Sequence, residues 1–184
     1  HASRITLLSA TDGGGMLVST SRPDELGTPE NRLVSITSDG TIDGDWAIPV
    51  AGKLRAFLPD ETGFLMVFTA GTTMTAVHMG ANGTAGTPTV VFTGGDYGTV
   101  ETTTIFKATA LETGIVTEMR EMKSQTAERL SYRIAFVNAD GTVKWRDPEL
   151  WLDPAETGVD FLHERADGGV EIVDYELTTY GLIS

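Results

Sequence analysis

Apolar and polar positions along the chain follow a pattern that recurs about every fifty residues. In four places a short polar turn ends in glycine and leads directly into a run of apolar residues. Aligning the glycines of these turns gives separations of 48, 51 and 55 residues. Self-similarity with a period in this range predicts an array of repeated supersecondary units. The aligned glycines are Gly15, Gly63, Gly114 and Gly169.

Each of the first three units contains a second apolar stretch that runs into a tight turn. The turns are Asp39-Gly40, Asn82-Gly83 and Asp140-Gly141. Such pairs between alternating apolar stretches favour hairpins, because both central residues of the turn adopt positive φ. Two further short strands complete the unit, one after this turn and one before the next glycine turn. The pattern therefore predicts one domain, residues 1–184, whose four-stranded units start near residues 4, 53, 102 and 159.

Two stretches combine an Asp-Gly turn with an aromatic residue that follows it, Asn31 to Trp46 and Phe136 to Trp145. They resemble the short Gly/Asp blade repeats of bacterial β-propeller proteins. The resemblance implies an all-β, propeller-like array of four-stranded antiparallel blades, with three full units and a fragment. Unit two departs from the pattern, because Asn82-Gly83-Thr84-Ala85 has no Trp after the turn. The alternative fold is a two-sheet β-sandwich.

A propeller usually has about four to eight blades, and this chain supplies three units and a fragment. One solution is that the strand Arg4 to Ala10 completes the last blade. Another is that a second copy or a different chain completes the ring, because open sheet edges leave unpaired backbone groups.

One stretch, Thr117 to Leu130, is rich in helix formers and has two possible structures. Its propensity alone is compatible with a helix. The repeat frame instead favours a long hairpin, with Met119 inward and the Glu and Arg side chains towards solvent.

The amino-acid composition argues against several partners and several kinds of chemistry. The chain has 27 Thr and 21 Gly, no Cys, and 13 Lys and Arg against 26 Asp and Glu, for a formal net charge of −13. An acidic chain is not expected to bind nucleic acid, and one without Cys has no disulfide or thiolate chemistry. The longest apolar runs, such as Phe64 to Phe68, are far shorter than the roughly 20 residues of a membrane helix. We expect a periplasmic or extracellular protein without a membrane span.

Two residue sets are candidate metal ligands. The first is His1 with His78 and His163, since a free N-terminal histidine can bind copper through its amine and imidazole. The alternative is that His1 is a tag remnant or a disordered terminus. The second set is Asp39, Asp43 and Asp45, three carboxylates in one turn that could bind calcium. Their alternative is a hairpin turn in which Asp caps its own backbone.

Acidic pairs and aromatic residues are the remaining candidates. Paired acids can catalyse glycoside hydrolysis when their separation and surroundings are right. Glu118 with Glu121, and Asp153 with Glu156, are pairs by sequence proximity alone, and in so acidic a chain we expect them to be solvated surface groups. Trp46 and Trp145 occupy a recurring position and are predicted core residues. The residues expected to bind a glycan or a protein are Trp151, Tyr132 and Asp147.

No recognisable catalytic set emerges from these residues. The sequence therefore favours a non-catalytic extracytoplasmic interaction module or subunit that binds, or completes a ring with, a protein partner or a second copy of itself. The alternative is a copper-binding or carbohydrate-active secreted protein that uses His1 with further histidines or carboxylates.

Overall fold

All regular structure in the described part of the chain is β-strand. The computed structural model describes residues 4–10, 15–23, 29–95, 97–98, 100–126, 128–147, 161–165, 170–173 and 180–183. No helix occurs among them, and hence none that could cross a membrane. The all-β prediction is therefore confirmed for these residues.

The described residues form fifteen strands. In chain order they are β1 (Arg4–Ala10), β2 (Met16–Pro23), β3 (Pro29–Ile36), β4 (Ile42–Ile48), β5 (Lys53–Pro59), β6 (Gly63–Ala70), β7 (Thr73–Gly80), β8 (Thr89–Thr93), β9 (Thr102–Ala110), β10 (Gly114–Lys123), β11 (Glu128–Asn138), β12 (Val143–Asp147), β13 (Phe161–Glu164), β14 (Val170–Val173) and β15 (Tyr180–Ile183).

The strands form four antiparallel sheets, each built from consecutive strands. Sheet A contains β1 to β4, sheet B contains β5 to β8, sheet C contains β9 to β12, and sheet D contains β13 to β15. Within each sheet, strand order in space equals strand order in sequence, so every sheet is a meander. All four are open among the described strands, since none of them pairs its first strand with its last.

One turn geometry recurs between the third and fourth strands of sheets A, B and C. The side-chain oxygen of an Asp or Asn accepts the backbone N–H two residues on, at 3.1 Å in Asp39, 3.0 Å in Asn82 and 2.9 Å in Asp140. The glycine between the two residues has φ of 86°, 81° and 86°. Only glycine adopts such φ without strain. All three predicted hairpins are present.

The stretch from Thr117 to Leu130 forms a hairpin, as the repeat frame predicts. Its strand residues belong to β10 and β11, and β10 pairs with β9 on one side and β11 on the other. Met119 points inward and is fully buried. Pairing on both edges of β10 outweighs the weak intrinsic preference of Glu, Met and Arg for helix.

Two apolar layers join the first three sheets. In β6, Met66 and Phe68 pack with residues of sheet A, whereas Leu65 and Val67 pack with residues of sheet C. Alternate residues of a strand point to opposite faces, so one strand supplies both layers. Sheet B is therefore buried on both faces, between sheets A and C.

Candidate functional site

His78 lies at the junction of sheets B and C, at the edge that carries the recurring turns. Its Nε2 is 3.1 Å from Asp60 Oδ2 and 3.2 Å from Thr62 Oγ1. A Cβ added at Gly141, in the equivalent turn of sheet C, would lie 3.3 Å from the backbone nitrogen of His78. Glycine at position 141 thus allows the turn of sheet C to approach β7 closely.

The arrangement of Asp60, Thr62 and His78 does not match a nucleophilic relay. In such a relay the carboxylate binds one ring nitrogen and the hydroxyl binds the other. Here both groups contact Nε2, and the Thr62 hydroxyl donates to Asp60 Oδ1 at 2.7 Å. The cluster closes the turn before β6 and gives no activated nucleophile.

Hydrogen bonds keep the turn carboxylates ionised. Hydrogen bonds from Thr37 and then Thr41 lower the pKa of Asp39, and those from Thr142 lower the pKa of Asp140. Burial raises the pKa of Asp60, but hydrogen bonds from Thr62 and Gly63 and the charge of His78 outweigh it and lower that pKa overall. Each of these three carboxyl groups therefore ionises at a lower pH than an ordinary Asp, and this edge carries their negative charges at neutral pH.

Asp39, Asp43 and Asp45 have separate surroundings. Asp39 accepts hydrogen bonds within its own turn, Asp45 pairs with the Arg32 guanidinium, and Asp43 is exposed. Among the described residues, no three His, Asp or Glu side chains are close enough to hold a metal ion together. The placement of Asp39 agrees with the alternative of a self-capped hairpin turn, and calcium binding stays a prediction.

Several sequence candidates lie wholly or partly outside the described residues. His1, Trp151 and the pair Asp153 and Glu156 are outside the described ranges. Asp147 is the last residue of β12, and His163 lies within β13. The side chains of both residues are outside the description. The copper set is therefore described only at His78.

Both tryptophans predicted as core residues pack against apolar neighbours. Trp46 joins the layer between sheets A and B, and its ring lies over Gly44 and Gly83. Trp145 stacks on Phe136 with ring centroids 6.0 Å apart, and its buried Nε1 has no hydrogen-bond partner among the described residues.

The expectation that Glu118 and Glu121 are solvated surface groups is wrong. Both are essentially fully buried, at 1% and 0% exposure. They lie three residues apart on β10 and therefore point to opposite faces of sheet C. A buried carboxylate is tolerated only when charges or hydrogen bonds compensate for lost hydration, and each of these has its own compensation.

Glu118 is surrounded by two cations and a phenol. Oε1 is 3.6 Å from Lys107 Nζ, and Oε2 is 3.3 Å from Arg120 Nη2. Tyr132 donates its hydroxyl to Oε2 at 3.2 Å, and Arg120 also lies over the Tyr132 ring. Tyr132 is only 4% exposed, so its ring is not a platform for stacking on a sugar. Its contacts stabilise the buried charge instead.

Glu121 holds the connection between sheets B and C. Its Oε1 accepts the backbone N–H of Gly95 at 2.8 Å, and its Oε2 accepts the hydroxyls of Tyr97 at 2.7 Å and Ser131 at 2.9 Å. A Cβ at Gly94 would lie 2.9 Å from Oε1, so glycine is needed for this approach. Asn31 holds the connection between sheets A and B in a comparable way. Its side-chain amide donates hydrogen bonds to the backbone carbonyls of Val50 and Gly52.

Comparison of the chain with known protein families and with curated proteins finds no match.

The raised pKa of Tyr97 predicts that the folded protein loses stability in alkali. Burial raises its pKa, and the hydrogen bond and charge of Glu121 act in the same direction. Because the folded protein holds this proton more tightly, stability is complete below the ordinary Tyr pKa of about 10 and falls as pH rises towards the raised value. We expect the unfolding free energy of the wild type to fall more steeply above pH ~10 than that of Tyr97→Phe. Urea unfolding at increasing pH measures both curves, and parallel curves would contradict the prediction.

Proposed function

We propose that this chain is a non-catalytic interaction module built from blade-like repeats of the propeller type. Three four-stranded meanders of consecutive strands support the repeat, because they share the same turn geometry and glycine conformation. Stacking of such sheets face to face is how the blades of a propeller bury their apolar surfaces.

The observation that carries the proposal is the burial of sheet B on both faces. One face packs on sheet A and the other on sheet C, through separate apolar layers. A face of such a sheet is thus a docking surface for another sheet of the same kind. A module of this design acts by holding a further sheet or a further chain in the same way.

The chemistry of the described residues supports binding over catalysis. His78 contacts Asp60 and Thr62 through one ring nitrogen only, and the Glu121 carboxylate is engaged by three donors of its own chain. A setting outside the cytoplasm is part of the proposal, supported by the acidic composition without Cys.

Native mass spectrometry of the chain, purified without denaturation, tests the proposal. We expect species that contain the chain together with a second protein chain, in a defined stoichiometry. The mass of a single bare chain at every concentration would contradict an interaction module. Because bound metal adds its own mass, the same spectra also report whether copper or calcium is present.

A further inference from the structure

Two arginines of sheet C lie on the face that packs against sheet B. Arg146 on β12 is the cross-strand partner of Ala135, which belongs to the apolar layer between the two sheets. Arg133 lies on β11, two residues before Ala135. Direct cross-strand partners share a face, and so do residues two apart on one strand. Arg133 and Arg146 are therefore diagonal neighbours on this face, at a spacing of about 7–8 Å.

Contacts with sheet B and its outgoing connection agree with this orientation. Arg146 Nη2 donates to Val90 O on β8 at 3.0 Å. Arg133 is close enough to Tyr97 for its charge to act on the phenol. Burial has the largest effect and raises the pKa of Tyr97, and the charge of Arg133 opposes that rise. The two guanidinium groups thus border the junction of sheets B and C beside β8 and the connection that follows it.

Neither arginine has a carboxylate partner in the described part of the chain. The Lys and Arg side chains that form ion pairs there are those of Arg32, Lys107, Arg120 and Lys123. Arg133 and Arg146 are left without such a pair, although the chain has 26 Asp and Glu against 13 Lys and Arg. Arg133 is also partly buried. A guanidinium that has lost part of its hydration is usually compensated by a negative group.

Glu121 shares this face with Arg133 but does not supply that compensation as an ion pair. It pairs with Ser131, two residues before Arg133. Its carboxylate accepts the Gly95 N–H and the hydroxyls of Tyr97 and Ser131. One buried negative charge stands beside two guanidinium groups, so the local charge of this group is positive.

We propose that Arg133 and Arg146 form a binding site for an oxyanion of the carboxylate or phosphate type. A guanidinium holds its N–H donors in a planar fork that matches two oxygens of such a group. An anion between the two arginines pairs the partly buried charge of Arg133 and offsets the repulsion between the two cations. The site goes beyond the proposed function, since a small molecule or an acidic side chain of a partner protein can present the same group.

NMR of the arginine Nε–Hε groups tests the site by titration at constant ionic strength, with sodium chloride as the reference salt. We expect malonate and inorganic phosphate to shift the signals of Arg133 and Arg146 until they saturate, whereas chloride leaves them unchanged. Arg55 is the internal control, because its Nε donates to Thr69 Oγ1 within sheet B. Its signal is expected to stay constant.

Single substitutions assign the binding to these two side chains. Arg133→Gln and Arg146→Gln are each expected to weaken malonate binding by roughly tenfold or more, because each removes the charge-assisted hydrogen bonds of one guanidinium. The matched control is Lys53→Gln, the same loss of charge at an exposed residue of β5, and it is expected to bind as the wild type does. Arg146 is exposed, so its variant reports on binding even if replacing the partly buried Arg133 disturbs the junction.

A hexaglutamate peptide distinguishes the two sources of the oxyanion. Peptide binding roughly tenfold tighter than that of malonate, and lost in Arg146→Gln, would assign the site to an acidic segment of a protein. Equal or weaker peptide binding would assign it to a small molecule.

Two results would overturn the site. One is that the signals of Arg133 and Arg146 stay constant with malonate, phosphate and the peptide. The other is that both Arg variants bind malonate as tightly as Lys53→Gln does, which would show a general ionic effect. Neither result changes the mass spectrum of the native protein, so the proposed function is judged separately.

Discussion

Replacing Glu121 with alanine is expected to lower the unfolding free energy by about 3 kcal/mol. The change removes the acceptor of three donors, the Gly95 N–H and the hydroxyls of Tyr97 and Ser131. It also leaves a void where a fully buried side chain stood. Urea unfolding followed by tryptophan fluorescence measures the loss.

The matched control for this prediction is Glu128→Ala. Glu128 lies on the neighbouring strand, its side chain is largely exposed, and its carboxylate is 3.9 Å from Lys123 Nζ, a long ion pair. Its replacement is expected to change stability by about 0.5 kcal/mol or less. Equal effects of the two substitutions would show that the Glu121 carboxylate does not hold the connection between sheets B and C.

The position of Glu121 also explains how consecutive sheets stay in contact. Each connection between stacked sheets leaves backbone groups that no strand satisfies. Asn31 donates to the carbonyls of Val50 and Gly52 in one connection, and Glu121 accepts the Gly95 N–H in the next. Buried polar side chains of the sheets thus fix the path between them.

The hairpins could be predicted from the sequence because their signals are local. Asp39-Gly40, Asn82-Gly83 and Asp140-Gly141 each contain both the side-chain acceptor and the glycine that the turn requires. A tight turn makes the two strands that it joins neighbours in the sheet. The turns therefore predict that each strand pairs with the next one in the chain, which is the order found in sheets A to C.

The burial of Glu118 and Glu121 could not be predicted in the same way. Their compensating groups come from other strands and connections: Lys107 and Tyr132 for Glu118, and Gly95 and Tyr97 for Glu121. A window along β10 shows two acids among polar residues, which is also the pattern of a solvated strand. One weak signal was present in the sequence. The repeat makes β10 the second strand of its unit, and a second strand is a central strand of the sheet.

The exposure of Met16 and Ile42 could not be predicted from the sequence either. Both are apolar residues of strands, and apolar residues of strands are usually assigned to a core, yet they are 43% and 61% exposed.

The second large effect is expected for Gly83→Ala, at about 3 kcal/mol. Gly83 has φ of +81°, where alanine is strained by roughly 1–2 kcal/mol. A methyl group there would also overlap the indole ring of Trp46, which packs across from sheet A. Chemical denaturation of the purified variant measures the sum of the two effects.

Gly40→Ala separates these effects, because Gly40 occupies the same turn position in sheet A with φ of +86° and has nothing within 4 Å of an added Cβ. It is expected to cost only the strain of about 1–2 kcal/mol. In a Trp46→Ala background the extra cost of Gly83→Ala is expected to vanish, leaving the value found for Gly40→Ala. If Gly83→Ala costs no more than Gly40→Ala in the wild-type background, Trp46 does not lock the turn of sheet B onto sheet A.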